Sequence, residues 1–389
     1  MKDESFFTLS VHAGEDRLAD HGAVSVPIYS ASVFAFKDAD DGIAIHNYEK
    51  EGYFYGRLGN PTVAGLERAM AELENGDDAL AFASGMAAVS AAAFTLVGSG
   101  DHIIAPKSMY STTTNFLKHI GEAFGIETTF VDAANAEAYA SALRPNTRMV
   151  WIESPSNPLV RITDIAEVAA MGKKAGVATV VDNTFATPFN QRPLELGADL
   201  VIHSATKYLG GHSDLTAGVM VGRRDLVEKA RHGAAKLYGG NIAPQVAWLV
   251  LRGIKTLGLR MERHNSNASV LAHMLSEHPK ISAVFYPGLD DHQNHDIAKR
   301  QMRGFGGMVA ADVGTSDAAR SLVNNLKVCT FATSLGGVET LVQPVALMTH
   351  ATLSPEERAA AGVSEGLLRI SVGIENIDDI CQDIYDALG

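Results

Sequence analysis

The chain holds little cysteine, little tryptophan and a minority of basic residues. Only two cysteines, Cys329 and Cys381, occur among 389 residues. They form no C-x-x-C pair and no disulfide framework, so both read as reduced thiols of a cytoplasmic protein. Lys and Arg total 32 against 45 Asp and Glu, a formal charge of −13. That balance excludes the basic footprint of a nucleic-acid binder. No apolar run approaches the roughly 18 residues that cross a bilayer. The longest, Ala87–Val97, is broken by Ser90 and Thr95, so no membrane association is expected. Met1-Lys2-Asp3-Glu4-Ser5 lacks the basic-then-apolar pattern of a secretory signal. No G-x-G-x-x-G follows a strand, and G-x-x-x-x-G-K-[ST] is absent, so dinucleotide and nucleoside-triphosphate sites lack support. There is no H-E-x-x-H, and no metal site is expected.

What is present is an ordinary globular composition, 46% hydrophobic and 20% charged. The length allows two or three domains of about 150 residues. Short apolar runs alternate with helical stretches. Ala79–Ala83, His102–Ala105, Glu127–Val131, Arg148–Glu153, Ala178–Asp182, Leu200–His203 and Val219–Gly222 read as strands. They are apolar on both faces, as in a parallel sheet covered by helices on each side. Helices are predicted over Gly85–Val97, Asp164–Ala175 and Asp225–His232, giving an α/β domain. Residues 1–59 do not fit this pattern and read as an extended arm packed on a partner subunit. Residues 60–245 form the large domain. From 246 to 389 the pattern changes to a smaller α+β domain, ending in a helix capped by Asn376 with Ile377, Ile380, Cys381, Ile384 and Leu388 on one stripe.

In open parallel sheets, ligands bind beyond the carboxyl ends of the strands. Ser84-Gly85-Met86 follows the first strand and opens a helix. Free N–H groups there suit a phosphate, although a small-residue turn has the same sequence. Tyr110 follows the second strand and can stack on a ring, transfer a proton or simply pack. Asn157 lies in Glu153-Ser154-Pro155-Ser156-Asn157-Pro158, a loop stiffened by two prolines. Asp182 ends an apolar strand, where a carboxylate needs a cation. One strand–loop unit later, Ser204-Ala205-Thr206-Lys207 follows the next strand. An anionic Asp and a nucleophilic Lys at neighbouring strand ends are what a pyridoxal 5'-phosphate (PLP) site requires. The Lys holds the aldehyde and the Asp keeps the pyridine nitrogen protonated. Ser204 and Thr206 could bind the same phosphate as Gly85 and Met86. A structural Asp182–Lys207 ion pair is the competing reading. Arg369, inside Leu367-Leu368-Arg369-Ile370, needs an anionic partner.

These stretches, with Tyr55-Gly56-Arg57-Leu58-Gly59-Asn60-Pro61-Thr62, Ser334-Leu335-Gly336-Gly337-Val338-Glu339 and Leu368-Arg369-Ile370-Ser371-Val372-Gly373, carry a resemblance. Along essentially its whole length the chain resembles the Cys/Met-metabolism (transsulfuration) family of PLP-dependent enzymes. The resemblance implies the aspartate-aminotransferase-like architecture (PLP fold type I): a mainly parallel seven-stranded sheet domain plus a smaller α+β C-terminal domain. It implies a homotetramer built as a dimer of dimers, in which Tyr55 and Arg57 reach the cofactor phosphate of a neighbouring subunit. It assigns catalysis to Lys207 and Tyr110. Cofactor binding goes to Tyr55, Arg57, Gly85, Met86, Tyr110, Asp182, Ser204, Thr206 and Lys207, and substrate binding to Asn157, Ser334 and Arg369. The implied substrate is a small amino acid. The implied reaction is γ-elimination from a sulfur amino acid, giving 2-oxobutanoate, ammonia and a thiol. Alternatives are γ-replacement on an O-acylhomoserine or in cystathionine synthesis, and cystathionine γ-elimination. Cystathionine-handling relatives usually carry Arg where Asn115 stands. Methionine γ-lyases usually carry Cys at Thr112 and Asp at Leu237. A PLP-fold protein kept only for binding is disfavoured by the intact Asp182, Lys207 and Arg369.

Overall fold

The computed structural model describes residues 5–15, 22–349, 351, 356, 358 and 362–389. Residues 1–4, where a signal would begin, lie outside them. Seven strands build the first sheet: β1 Asp78–Phe82, β2 His102–Pro106, β3 Glu127–Val131, β4 Thr147–Glu153, β5 Ala178–Asp182, β6 Leu200–His203 and β7 Gly218–Gly222. Their order is β1-β7-β6-β5-β4-β2-β3. Strands β6, β5, β4, β2 and β3 are parallel neighbours. Strand β7 runs antiparallel to both β1 and β6. The other six therefore point the same way, and their carboxyl ends share one edge of the sheet.

Both faces of this sheet are buried, which explains why its strands read as continuous apolar runs. Val180, Leu200 and Ile202 pack on one side with Trp151 and the helix Gly85–Leu96. Val150, Ile152 and Val181 pack on a different cluster with Ile165 and Val168 of the helix Ile165–Ala175. The predicted helix over Asp225–His232 runs from Arg224 to Ala230 and continues as a wider π-type turn over Arg231–Ala235.

The second sheet contains β8 Ala283–Phe285, β9 Met308–Asp312, β10 Thr330–Phe331, β11 Leu341–Pro344 and β12 Leu367–Ser371, in the order β10-β11-β12-β9-β8. Only β10 and β11 pair in parallel. Leu368 and Ile370 of β12 pack with Ile380 and Ile384 of the last helix, while Leu367 joins the core of the large sheet. Alternation along β12 thus sends Arg369, like Leu367, toward the first sheet.

The arm is not wholly extended. Among its described residues, Phe6–His12 and Ala39–His46 are helical, each capped by a side chain, Ser5 and Asp38. Between them the chain is strapped to the helix Pro61–Glu74. Tyr29 N donates to Thr62 Oγ1 at 2.9 Å, Asn60 Nδ2 donates to Tyr29 O at 2.7 Å, and Thr62 Oγ1 donates to Pro27 O at 2.7 Å. No helix among the described residues is long and apolar enough to cross a membrane.

Candidate active site

The shared edge of carboxyl ends opens on a cavity of about 520 Å³. That size suits a cofactor with a small substrate. At one end lies the helix Gly85–Leu96, capped by Ser84 Oγ, which accepts from Ala87 N at 3.2 Å. First-turn N–H groups have no acceptor within a helix and carry the positive dipole end. A side-chain carbon on Gly85 would stand 2.8 Å from Ser204 Cβ and 2.9 Å from its Oγ. Glycine thus lets the Ser84 and Ser204 loops close on each other. Thr206 is fixed by exchange with Ala217: its Oγ1 accepts from Ala217 N at 3.0 Å and donates to Ala217 O at 3.2 Å.

Asp182, half-buried, lies on the cavity floor. One carboxylate oxygen accepts from Thr184 N at 3.0 Å. Burial pushes its pKa up, and hydrogen bonds from Thr184 oppose the shift. Its buried charge meets no Lys or Arg within ion-pair distance among the described residues. Lys207 lies on the neighbouring unit, but its Nζ donates to Ser334 Oγ at 2.7 Å. The structural Asp182–Lys207 ion pair is therefore not formed. Burial, and then the Arg369 guanidinium, push the Lys207 pKa down to about 8.

Arg369 is 4% exposed and holds no carboxylate. Its Nη1 donates to Asn157 Oδ1 at 3.1 Å and its Nη2 to Ser334 O at 2.8 Å, while Nε has no partner. Burial pushes its pKa down to about 10. Ser334 serves both cations, one through its hydroxyl and one through its carbonyl. It does so with φ at +79°, a conformation costly for a residue with a side chain. A buried guanidinium that lines a cavity and has no carboxylate in ion-pair contact is suited to receive an anion.

The fold brings ten of the twelve expected site residues to this cavity: Gly85, Met86, Tyr110, Asn157, Asp182, Ser204, Thr206, Lys207, Ser334 and Arg369. Tyr110, 41% exposed, lines its mouth. Tyr55 and Arg57 are not brought there by their own chain. The Arg57 guanidinium lies 5.4 Å from the Tyr55 ring, and its Nη1 donates to Lys236 O at 2.6 Å. Two residues at the site carry no role in the sequence reading. Glu153, 4% exposed, lines the cavity beside Asp182 in register on β4. Glu74 lies behind the floor, where its Oε1 is 2.6 Å from His203 Nε2 and accepts from Asn183 Nδ2 at 2.9 Å. No group of three or more His, Cys, Asp or Glu among the described residues is arranged to hold a metal ion.

The description "Cys/Met metabolism PLP-dependent enzyme" matches residues 7–389. The chain belongs to this family. A relative from Fusobacterium nucleatum subsp. nucleatum, L-methionine gamma-lyase, is 43% identical over 391 residues, covering 100% of this chain and 99% of its own. Cystathionine gamma-lyase of Bacillus subtilis is 45% identical over 381 residues, 98% of each chain. The crystal structure of cystathionine gamma-lyase from Lactobacillus plantarum, complexed with L-serine, superposes with a TM-score of 0.92 at 39% identity, covering 99% of this chain and 98% of that one. The chain is thus a PLP-dependent enzyme of the transsulfuration type. Its donor set fits the cofactor: helix N–H groups and hydroxyls for the phosphate, a primary amine for the aldehyde, and a carboxylate lacking a cation for the ring nitrogen.

Proposed function

We propose that the protein is a carbon–sulfur lyase that cleaves methionine or a close homologue by γ-elimination. The balanced reaction for methionine is methionine plus water to 2-oxobutanoate, ammonia and methanethiol. The observation that carries this reading is the charge pattern of the cavity. Among the described residues, Lys207 and Arg369 are the only Lys or Arg lining it, with Glu153 and Asp182 as the acids. One amine and one carboxylate receptor fit an α-amino acid with an uncharged side chain. A second, distal carboxylate such as cystathionine carries finds no further cation among the described lining residues of this chain.

In this reading PLP, when bound, supplies an aldehyde for the substrate amine and a ring that withdraws electrons from Cα. Asp182 holds the proton on the ring nitrogen, and Gly85, Met86, Ser204 and Thr206 hold the phosphate. Asn157, Ser334 and Arg369 hold the α-carboxylate. Lys207, released by the substrate amine, takes the Cα proton and then moves a proton from Cβ. Its lowered pKa supports this, because more of the amine is free near neutral pH. Tyr110 stacks on the ring and serves the departing sulfur as an acid. Tyr55 and Arg57 of a second copy complete the phosphate site, within a homotetramer divided into the arm 1–59, the large domain 60–245 and the small domain 246–389. Exposed apolar side chains along the arm, among them Val24, Val33 and Ile43, support its packing on another copy. Two free thiols, Cys329 and Cys381, suit a cytoplasmic location.

The deciding experiment is a product assay with methionine, cystathionine and O-acetylhomoserine, each with and without added thiol. Release of 2-oxobutanoate from methionine without thiol is expected. A new thioether only when thiol is added, with no keto acid, replaces this reading with γ-replacement.

A further inference from the structure

We propose that Glu153 is a positioning residue that locks the Tyr110 loop to the Asn157 loop and thereby sets the α-carboxylate subsite. The inference rests on the reading of Arg369 as the carboxylate receptor.

Glu153 ends β4, and its two carboxylate oxygens face two different loops. Oε2 accepts from Tyr110 N at 2.9 Å, and Oε1 accepts from Asn157 N at 2.8 Å. The Tyr110 loop follows β2 and the Asn157 loop follows β4, so one side chain bridges the ends of two neighbouring strands. Tyr110 also precedes the helix Ser111–Phe124, whose first turn has no side-chain cap. A carboxylate at that end meets the helix dipole favourably. Asn157 passes the constraint on, because its Oδ1 accepts from Arg369 Nη1 at 3.1 Å. The chain of contacts therefore runs from Tyr110 through Glu153 and Asn157 to the guanidinium.

The chemistry calls for a carboxylate. Two N–H donors arriving from two loops need two acceptor oxygens, which glutamate has and glutamine lacks. The placement is otherwise unfavourable. Glu153 stands in register beside Asp182, and burial together with that neighbour pushes its pKa up. The two N–H bonds and the Arg369 guanidinium pull it back. A buried acid kept beside a second acid is costly unless its bonds are needed. What these bonds hold is the pair of loops that bring Tyr110 and Asn157 to the cavity.

The test uses the holoenzyme with Glu153→Gln and Glu153→Asp, and Arg369→Leu as the reference. Glycine and methylamine are the probes, one with a carboxylate and one without. Their binding is read from the absorption of the bound cofactor, alongside KM and kcat. Glu153→Gln is expected to weaken glycine about tenfold to a hundredfold, with methylamine changed less than about twofold. KM for the amino-acid substrate should rise by a similar factor. Glu153→Asp keeps both oxygens on a shorter stem and should fall between Gln and wild type. Equal losses for both probes, or unchanged glycine binding, overturn the proposal. If Glu153→Gln does not fold, the glycine-to-methylamine ratio of Glu153→Asp decides in the same way. If Arg369→Leu still binds glycine normally, the carboxylate-receptor reading fails. If Arg369→Leu loses glycine and Glu153→Gln does not, only the role of Glu153 fails.

Discussion

Lys207 Nζ donates to Ser334 Oγ at 2.7 Å, although Lys207 lies between β6 and β7 of the large sheet and Ser334 precedes β11 of the small one. The amine is thus held by a neutral hydroxyl while burial and Arg369 act against its charge.

This has a measurable consequence for the cofactor-free protein. The folded pKa of about 8 lies below the ordinary lysine value of 10.5. Below pH 8 both folded and unfolded chains carry the proton, and the folded state bears the full cost. Between 8 and 10.5 the unfolded chain holds more protons, so stability rises with pH. Lys207→Met should therefore stabilise the cofactor-free protein at pH 7 by up to about 3 kcal/mol. Urea denaturation at several pH values should show the gain shrinking as pH climbs toward 10.5. A pH-independent difference contradicts this. In the cofactor-loaded protein, Lys207→Ala should abolish the visible absorption band.

Gly85→Ala tests the phosphate end. The new methyl group would stand 2.8 Å from Ser204 Cβ, closer than such carbons pack, so the two loops must part. Affinity for pyridoxal phosphate should fall by about tenfold or more, while affinity for pyridoxal, which lacks the phosphate, changes little. Titration of the cofactor-free protein with both compounds measures the ratio. An equal loss for both argues against a phosphate role for this turn.

Glu74→Ala tests the support beneath the floor. Glu74 is fully buried against His203 at 2.6 Å and also accepts from Asn183, the residue after Asp182. Removing it strands His203 and one N–H of Asn183 in the interior, although Asn183 keeps its bonds with Gln191. A loss of about 3–5 kcal/mol is expected from the midpoint of chemical denaturation. A loss below about 1 kcal/mol would show that water replaces the carboxylate.

The large sheet was legible because its strands are local apolar runs buried on both faces. Glu127–Val131, Ala178–Asp182 and Leu200–His203 carry the bounds read from sequence. The neighbouring strand ends of Asp182 and Lys207 followed from that. The small sheet was not legible strand by strand. Thr330–Phe331 is two residues long, and β12 finds β9 across a wide stretch of chain, so pairing leaves little local signal. The arm helices escaped because each is at most eight residues and owes its start to one capping side chain. Glu153 was visible as the end of a strand and the first residue of the Glu153–Pro158 stretch, but without a role. Its partners are backbone N–H groups contributed by folding.

Lys207 and Arg369 belong to different sheets, and they meet only where those sheets abut. In the proposed reading, an amino acid whose Cα faces Lys207 and whose carboxylate is held by Arg369 spans a joint between the two sheets. A slide of a fraction of an ångström along that joint would turn the substrate about its Cα and change which bond Lys207 meets. Reaction preference in such a molecule can drift through substitutions in the seam, remote from every residue that touches the substrate.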